Sequence, residues 1–273
     1  MTKTPEELLR IQRRRERRAA EAAAAAATPM EEDEAAAPPK AKKRKAEQAE
    51  GGASKKPQAK EKKAGKAQLE LPQLALLSPE QQGVALWQNY QSECGGSYLE
   101  QEAFGAEHFV AAAAGATRLQ AQLQAAAGVS WRDLLARPPR DAPCGAPACL
   151  LLTGSALRAC ELIKLLPDLH RACPVAKLFG KHLKPAEQAE ALASAQLCLG
   201  AGTPARVDKL VGMGALSLSR LQLLVLDTSR DVKKRNLLDI PETRRDFWTL
   251  WRHHLSAPIS AGTLRVLLID GDA

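Results

Sequence analysis

The C-terminal half of the chain predicts an α/β fold, a parallel β-sheet flanked by helices. Three observations predict it. Short apolar runs recur at Ala148–Leu152, Pro174–Phe179, Gln196–Leu199, Leu221–Asp227 and Thr263–Ile269. Continuous apolar runs of this length suit strands buried on both faces. Helical stretches separate these runs, and strands joined by helical crossovers pair in parallel with helices on both faces of the sheet. The turn Gly200-Ala-Gly-Thr203-Pro204 then opens a helix just past a strand. Thr203 suits the N-cap, and Pro204 the first helical position, where a missing N–H costs nothing. The free N–H groups and positive dipole end of such a helix suit a phosphate. Asp227 ends a strand, the place where open α/β sheets put functional side chains.

The chain before these runs is different. Residues 1–68 carry 18 Lys/Arg against 11 Asp/Glu, a net of +7, and residues 69–273 carry 21 against 20, a net of +1. The basic balance therefore belongs to a tail, which implies a polyanionic partner or a nuclear address. Thr4-Pro5-Glu6-Glu7 is a capping box and predicts an Arg-rich helix over 5–27. Residues 29–66 lack hydrophobic periodicity and are rich in Ala, Lys, Glu, Pro and Gly, which predicts a disordered segment. Within it Lys40, Lys42, Lys43, Arg44 and Lys45 read as a nuclear-localisation cluster, with a second basic run over 55–66. Neither a secretory signal nor a membrane-spanning run is expected.

Residues 69–147 predict a helical region packing on the sheet or extending it. Ser78-Pro79-Glu80-Gln81 starts a helix running to about Tyr90. Residues 102–114 and 117–127 are Ala-rich helical candidates, Ser130-Trp131 caps a short helix, and the four prolines over 138–147 mark a boundary. From Ala148 to Ala273 the expected order is strand 148–152, helix 156–166, strand 174–179, helix 185–195, strand 196–199, helix 205–211 and strand 221–227. Helices over 232–238 and 241–255 and a last strand over 263–269 complete it. Phe247, Trp248 and Trp251 are spaced as a buried helical stripe.

The order of motifs from Ala148 to Asp270 resembles the first RecA-like domain of DEAD-box RNA helicases. Leu152-Thr-Gly-Ser-Ala-Leu-Arg-Ala-Cys-Glu-Leu162, Lys177-Leu-Phe-Gly180-Lys181, Gly202-Thr203-Pro204-Ala205-Arg206 and Leu218–Asp227 carry it. The departures are decisive. No G-x-x-x-x-G-K-[ST] occurs, so the lysine and hydroxyl that hold nucleotide phosphates and magnesium are missing. The Asp-Glu-Ala-Asp box reads Asp227-Thr228-Ser229-Arg230, and Asp227 is expected to be structural. With the chain stopping at Ala273, a second helicase domain is not expected.

The sequence is similar more closely to the CMS-type small-ribosomal-subunit homolog family. Ser155–Ile163, Ala176–His182, Leu199–Arg206 and Leu238-Asp-Ile-Pro-Glu242 carry that resemblance. It implies a non-enzymatic nucleolar factor of the small-subunit processome, without cofactor, contacting pre-ribosomal RNA and assembly proteins. It also implies a single degenerate RecA-like domain, monomeric outside the particle and not at a membrane. The helicase turns hold the RNA backbone, and the resemblance implies that Thr203, Pro204 and Arg206, Gly180 and Lys181, and Ser155 do so here, with Arg158 standing in for an arginine lost at Ala156. Such contacts grip phosphate and sugar without reading sequence. Two other function classes stay open on the residues: a nucleotide-dependent RNA-remodelling enzyme with an unrecognised phosphate loop, and a protein-only scaffold.

The remaining constellations are weaker. The basic residues Lys233, Lys234, Arg235, Arg244 and Arg245 read as a solvated face. His253 and His254 are adjacent, so on a regular helix they point to different sides and joint metal ligation is not expected. Six cysteines without a C-x-x-C pair read as reduced, buried thiols.

Overall fold

A computed structural model describes residues 73–271, except 112, 114, 115, 117 and 182. These residues belong to one compact unit, Ala64–Ala273. The expected helix over 5–27, the Lys-rich segment and the cluster at Lys40–Lys45 lie outside the described residues.

The expected fold class is the one observed. Six parallel strands form one sheet in the order β1-β6-β5-β2-β4-β3. They are β1 (Phe109–Val110), β2 (Cys149–Leu152), β3 (Ala176–Leu178), β4 (Leu199–Gly202), β5 (Leu223–Asp227) and β6 (Arg265–Ile269). The helices are α1 (Pro79–Cys94), α2 (Leu119–Ala127), α3 (Ala156–Lys164), α4 (Pro167–Ala172), α5 (Pro185–Ala193), α6 (Pro204–Gly212), α7 (Pro241–Leu250) and α8 (Ser256–Ser260). A π-helical turn, Trp251–Leu255, joins α7 to α8.

Alternation along the central strands divides the core. Leu150, Leu152, Leu224, Leu226, Val266 and Leu268 face α1, α6 and α7, together with Tyr90, Phe104, Phe247, Trp248 and Trp251. Leu151, Val225, Leu267 and Ile269 face the opposite way, against Leu119, Leu123, Leu162 and Ile163 of α2 and α3. Burial on both faces explains why these strands lack a polar alternation. The aromatic stripe is buried as expected, with Trp248 and Trp251 at 0% and 1% exposure. Trp248 Nε1 donates to Asn89 Oδ1 at 2.9 Å, satisfying the polar end of the ring.

Several elements differ from the sequence expectation: α4 and α8 were not expected, and Ser130 lies in a 3₁₀ turn without capping a helix. Residues 102–114 were expected to be helical, yet they hold 3₁₀ turns and the two-residue β1, which pairs with β6 at Phe109↔Val266. The third expected strand, 196–199, is shifted to Leu199–Gly202. Gly200 and Gly202 lie inside it because β3 crowds them: a Cβ on Gly202 would stand 1.8 Å from Leu178 O. Residues 232–238 were expected to be helical and form turns instead. There Asp231 Oδ1 accepts the N–H groups of Lys233 and Arg235, and Asn236 Oδ1 accepts those of Leu238 and Asp239. Side chains of this kind offer the backbone an alternative to helix bonds. Of the cysteines, Cys149, Cys173 and Cys198 are buried, while Cys144 is exposed.

Candidate nucleic-acid interface

Strands β2, β4 and β3 are neighbours and parallel, so their carboxyl ends lie side by side. The turns named from the sequence follow these ends directly. Ser155 comes three residues after β2, Thr203 one residue after β4, and Gly180 two residues after β3. The sheet order therefore brings Ser155, Thr203-Pro204 and Gly180-Lys181 onto one edge, although they are spread over nearly fifty residues of sequence.

Local chemistry shapes each turn. Ser155 is exposed, and its Oγ accepts the Arg158 N–H at 3.2 Å, capping α3. Thr203 occupies the N-cap position of α6, but its side chain makes no capping bond; its carbonyl accepts from Arg206 and Val207 N–H at 3.1 Å each. Its own N–H donates to Leu178 O at 3.0 Å, which ties the turn to β3. Pro204 is buried at the first helical position. Gly180 and Lys181 are both exposed.

The two arginines assigned to this surface are engaged within the fold. Arg206 Nη1 donates to Leu183 O at 2.8 Å and to Gln188 Oε1 at 2.5 Å. Gln188, 6% exposed, donates in turn to Lys177 O and Phe179 O. A Cβ on residue 180 would come within 2.9 Å of Arg206 Nη2, so the glycine leaves room for the guanidinium to pass. Arg206 thus binds the Gly180-Lys181 turn to the Thr203 turn. Arg158 Nε donates to Asp227 Oδ2 at 3.0 Å, and its Nη2 donates to Ser229 Oγ at 2.9 Å and to Gly271 O at 2.6 Å. Asp227 is 2% exposed and also accepts a short bond from Ser229 Oγ. Burial alone would lower the Arg158 pKa; the Asp227 hydrogen bond and charge outweigh it and hold the guanidinium above its usual value. The expected structural role of Asp227 takes the form of this ion pair, which fastens β5 to α3 and to the end of β6.

A cleft of about 960 Å³ opens beside the pair, beyond the carboxyl ends of β2, β5 and β6. After β2 the chain moves toward β3 and β4, and after β5 it moves the other way to β6. The cleft therefore sits at the topological switch point, where open α/β sheets bind ligands. Its walls carry both signs of charge: Arg158 and Arg235 face Glu161, Asp231 and Asp270. Burial first, and then the charge of Asp227, raise the Asp270 carboxyl above its usual value. No lysine is among the described residues that line it. The Arg158–Asp227–Ser229 closure had no sequence signal, because Arg158 lies about seventy residues before Asp227 and Ser229 and only the sheet order joins them.

Together the sheet and its edge define a parallel α/β protein whose central strand end is locked by an internal ion pair. A family described as "CMS1: U3-containing 90S pre-ribosomal complex subunit" matches residues 133–269, half of the chain. The chain belongs to this family. Protein CMSS1 of Homo sapiens is 42% identical over 102 residues, covering 37% of this chain and 37% of the relative. Protein CMSS1 of Danio rerio is 36% identical over 118 residues, 43% of this chain and 40% of the relative. Protein CMS1 of Chaetomium thermophilum is 40% identical over 101 residues, 36% and 40% of the two chains. The match thus spans about two fifths of the length of these curated relatives. Among solved structures, S. cerevisiae dbp5 bound to nup159, gle1, ip6 and ADP aligns over 72% of this chain and 47% of its own, with a TM-score of 0.33 at 12% identity. That likeness is too slight to carry a functional statement.

Proposed function

We propose that this protein is a non-enzymatic ribosome-biogenesis factor of the small-subunit processome that contacts pre-ribosomal RNA and assembly proteins in the nucleolus. The family description, a subunit of a pre-ribosomal complex, supports the setting. The observation that carries the RNA contact is the alignment of Ser155, Gly180-Lys181 and Thr203-Pro204 along one sheet edge. Helices α3 and α6 both begin there, and helix N-termini with a nearby lysine suit phosphates. In this reading Arg206 and Arg158 act as positioning residues, holding the turns in register. The cluster Lys40, Lys42, Lys43, Arg44 and Lys45 supplies the nuclear address. The protein is monomeric outside the particle.

Ultraviolet crosslinking of the full chain to single-stranded RNA, followed by peptide mapping, tests the proposal. Crosslinks are expected in peptides containing 153–158, 178–184 and 202–206. Lys181→Glu is expected to weaken binding about equally for all sequences and to lower the salt slope by roughly one. Crosslinks confined to residues 1–68, with unchanged affinity in Lys181→Glu, would refute the edge. RNA-stimulated ATP turnover by the purified chain would refute the non-enzymatic reading.

A further inference from the structure

Away from this edge, on the outer side of α6 and α7, a carboxylate and two imidazoles converge. Asp208 lies on α6, and His253 and His254 lie on the π-helical turn after α7. One donor atom from each of the three falls within 4.8 Å of the others. His254 Nε2 is 3.6 Å from Asp208 Oδ1. The two imidazole planes stand at 86° with ring centroids 6.0 Å apart.

Adjacent residues on a regular helix diverge, and the sequence therefore spoke against joint ligation. The local backbone is not regular. Ser256 N–H donates to Trp251 O, five residues back, instead of to the residue four back. On this irregular turn the donor atoms of His253 and His254 come within 4.8 Å of each other, and such insertions recur at functional positions of helices.

The distances suit a small cation. Zinc binds imidazole nitrogen and carboxylate oxygen at about 2.0–2.2 Å, so neighbouring donors of a tetrahedron stand roughly 3.4 Å apart. The Asp208–His254 separation is already within a few tenths of an ångström of this edge. His253 is exposed, so its ring can rotate through the remaining gap without disturbing the core.

We propose that Asp208, His253 and His254 bind a divalent transition-metal ion of the zinc type, with the fourth position open to water or to a ligand from a partner. Neutral imidazole and carboxylate suit zinc better than calcium or magnesium, which take oxygen donors. The ion pins α6 to the turn after α7.

Calorimetric titration of the metal-stripped full chain with zinc chloride tests this. One ion per chain is expected. His253→Ala should weaken it roughly tenfold or more, the scale on which even hydrogen-bond partners of metal ligands act. Acidification should also weaken it, because zinc takes only the neutral imidazole and competes with the proton. His253 is exposed, so this variant keeps its fold, which its unchanged melting temperature without metal verifies. Cobalt substituted for zinc should show no thiolate charge-transfer band, and Cys144→Ser should bind as the parent does. Parental zinc affinity in both His253→Ala and Asp208→Asn, or a thiolate band in the cobalt form, overturns the site.

Discussion

Replacing Arg158 by Met tests the central ion pair. The substitution keeps the apolar stem and removes the guanidinium that bonds Asp227, Ser229 and Gly271. Asp227, 2% exposed, then loses the guanidinium bonded to it. Breaking a buried pair in this way costs about 3–5 kcal/mol. Asp227 keeps two bonds from Ser229, one from the hydroxyl and one from its N–H at 3.3 Å, and these offset part of the loss. The expected destabilisation is therefore about 3 kcal/mol, which lowers the melting temperature by roughly 6–12 °C for a body of this size. Urea unfolding followed by circular dichroism measures it. Asp227→Asn in the Arg158→Met background should recover a large part of the deficit, because the buried charge is gone. A loss under about 1 kcal/mol, or strictly additive effects of the two substitutions, would show that the pair is not the tie described.

Other perturbations have equally definite outcomes. Gly202→Ala drives a Cβ into Leu178 O and should cost about 1–3 kcal/mol or more by overpacking, measured by the same unfolding curves; a neutral effect would contradict the β3–β4 crowding. Burial and the Asp227 charge raise the folded-state Asp270 pKa above its unfolded value. The contribution of Asp270 to stability is thus present at low pH and lost as pH rises through the folded value. Asp270→Asn should therefore melt higher than the parent at pH 7, and the gain should vanish below about pH 4. In native labelling with a maleimide, exposed Cys144 should react rapidly, while Cys149, Cys173 and Cys198 should react only after unfolding. Burial pushes the Cys149 thiol up, and exposures of 3% and 0% shield Cys173 and Cys198 even though the Cys198 hydrogen bond lowers Cys173 to about 7.

The parts of the fold that sequence made legible are those where one physical rule dominates. Leu150–Leu152 and Leu223–Leu226 are continuous apolar runs because both faces of the sheet are covered. The capping box of α1, Ser78 with Gln81, is a local bond pattern and was visible for the same reason. Strand β1 was not visible. Two residues give no periodicity, and the pairing that makes Phe109–Val110 a strand comes from β6, more than 150 residues later. Gly200 and Gly202 read as a turn because glycine breaks strands in isolation, whereas here the approach of β3 requires them. At the edge, the turns were legible and the fate of their arginines was not. Whether a guanidinium faces solvent depends on carbonyls such as Leu183 O and carboxylates such as Asp227, which only the folded chain brings near. The convergence of His253 and His254 donor atoms was not legible for a related reason, since a π insertion leaves no mark in composition.

The short pairing of β1 with β6 has a consequence for anyone dissecting the chain. The family match starts at residue 133, downstream of both α1 and β1. A fragment trimmed to that start would leave the β6 rim with unsatisfied amides and carbonyls, and would strip Tyr90 and Phe104 from Trp248 and Trp251. An open rim beside bare aromatic rings invites chain-to-chain stacking. The upstream residues therefore serve as the sheet's selvedge, and a soluble minimal piece has to begin before Ser78.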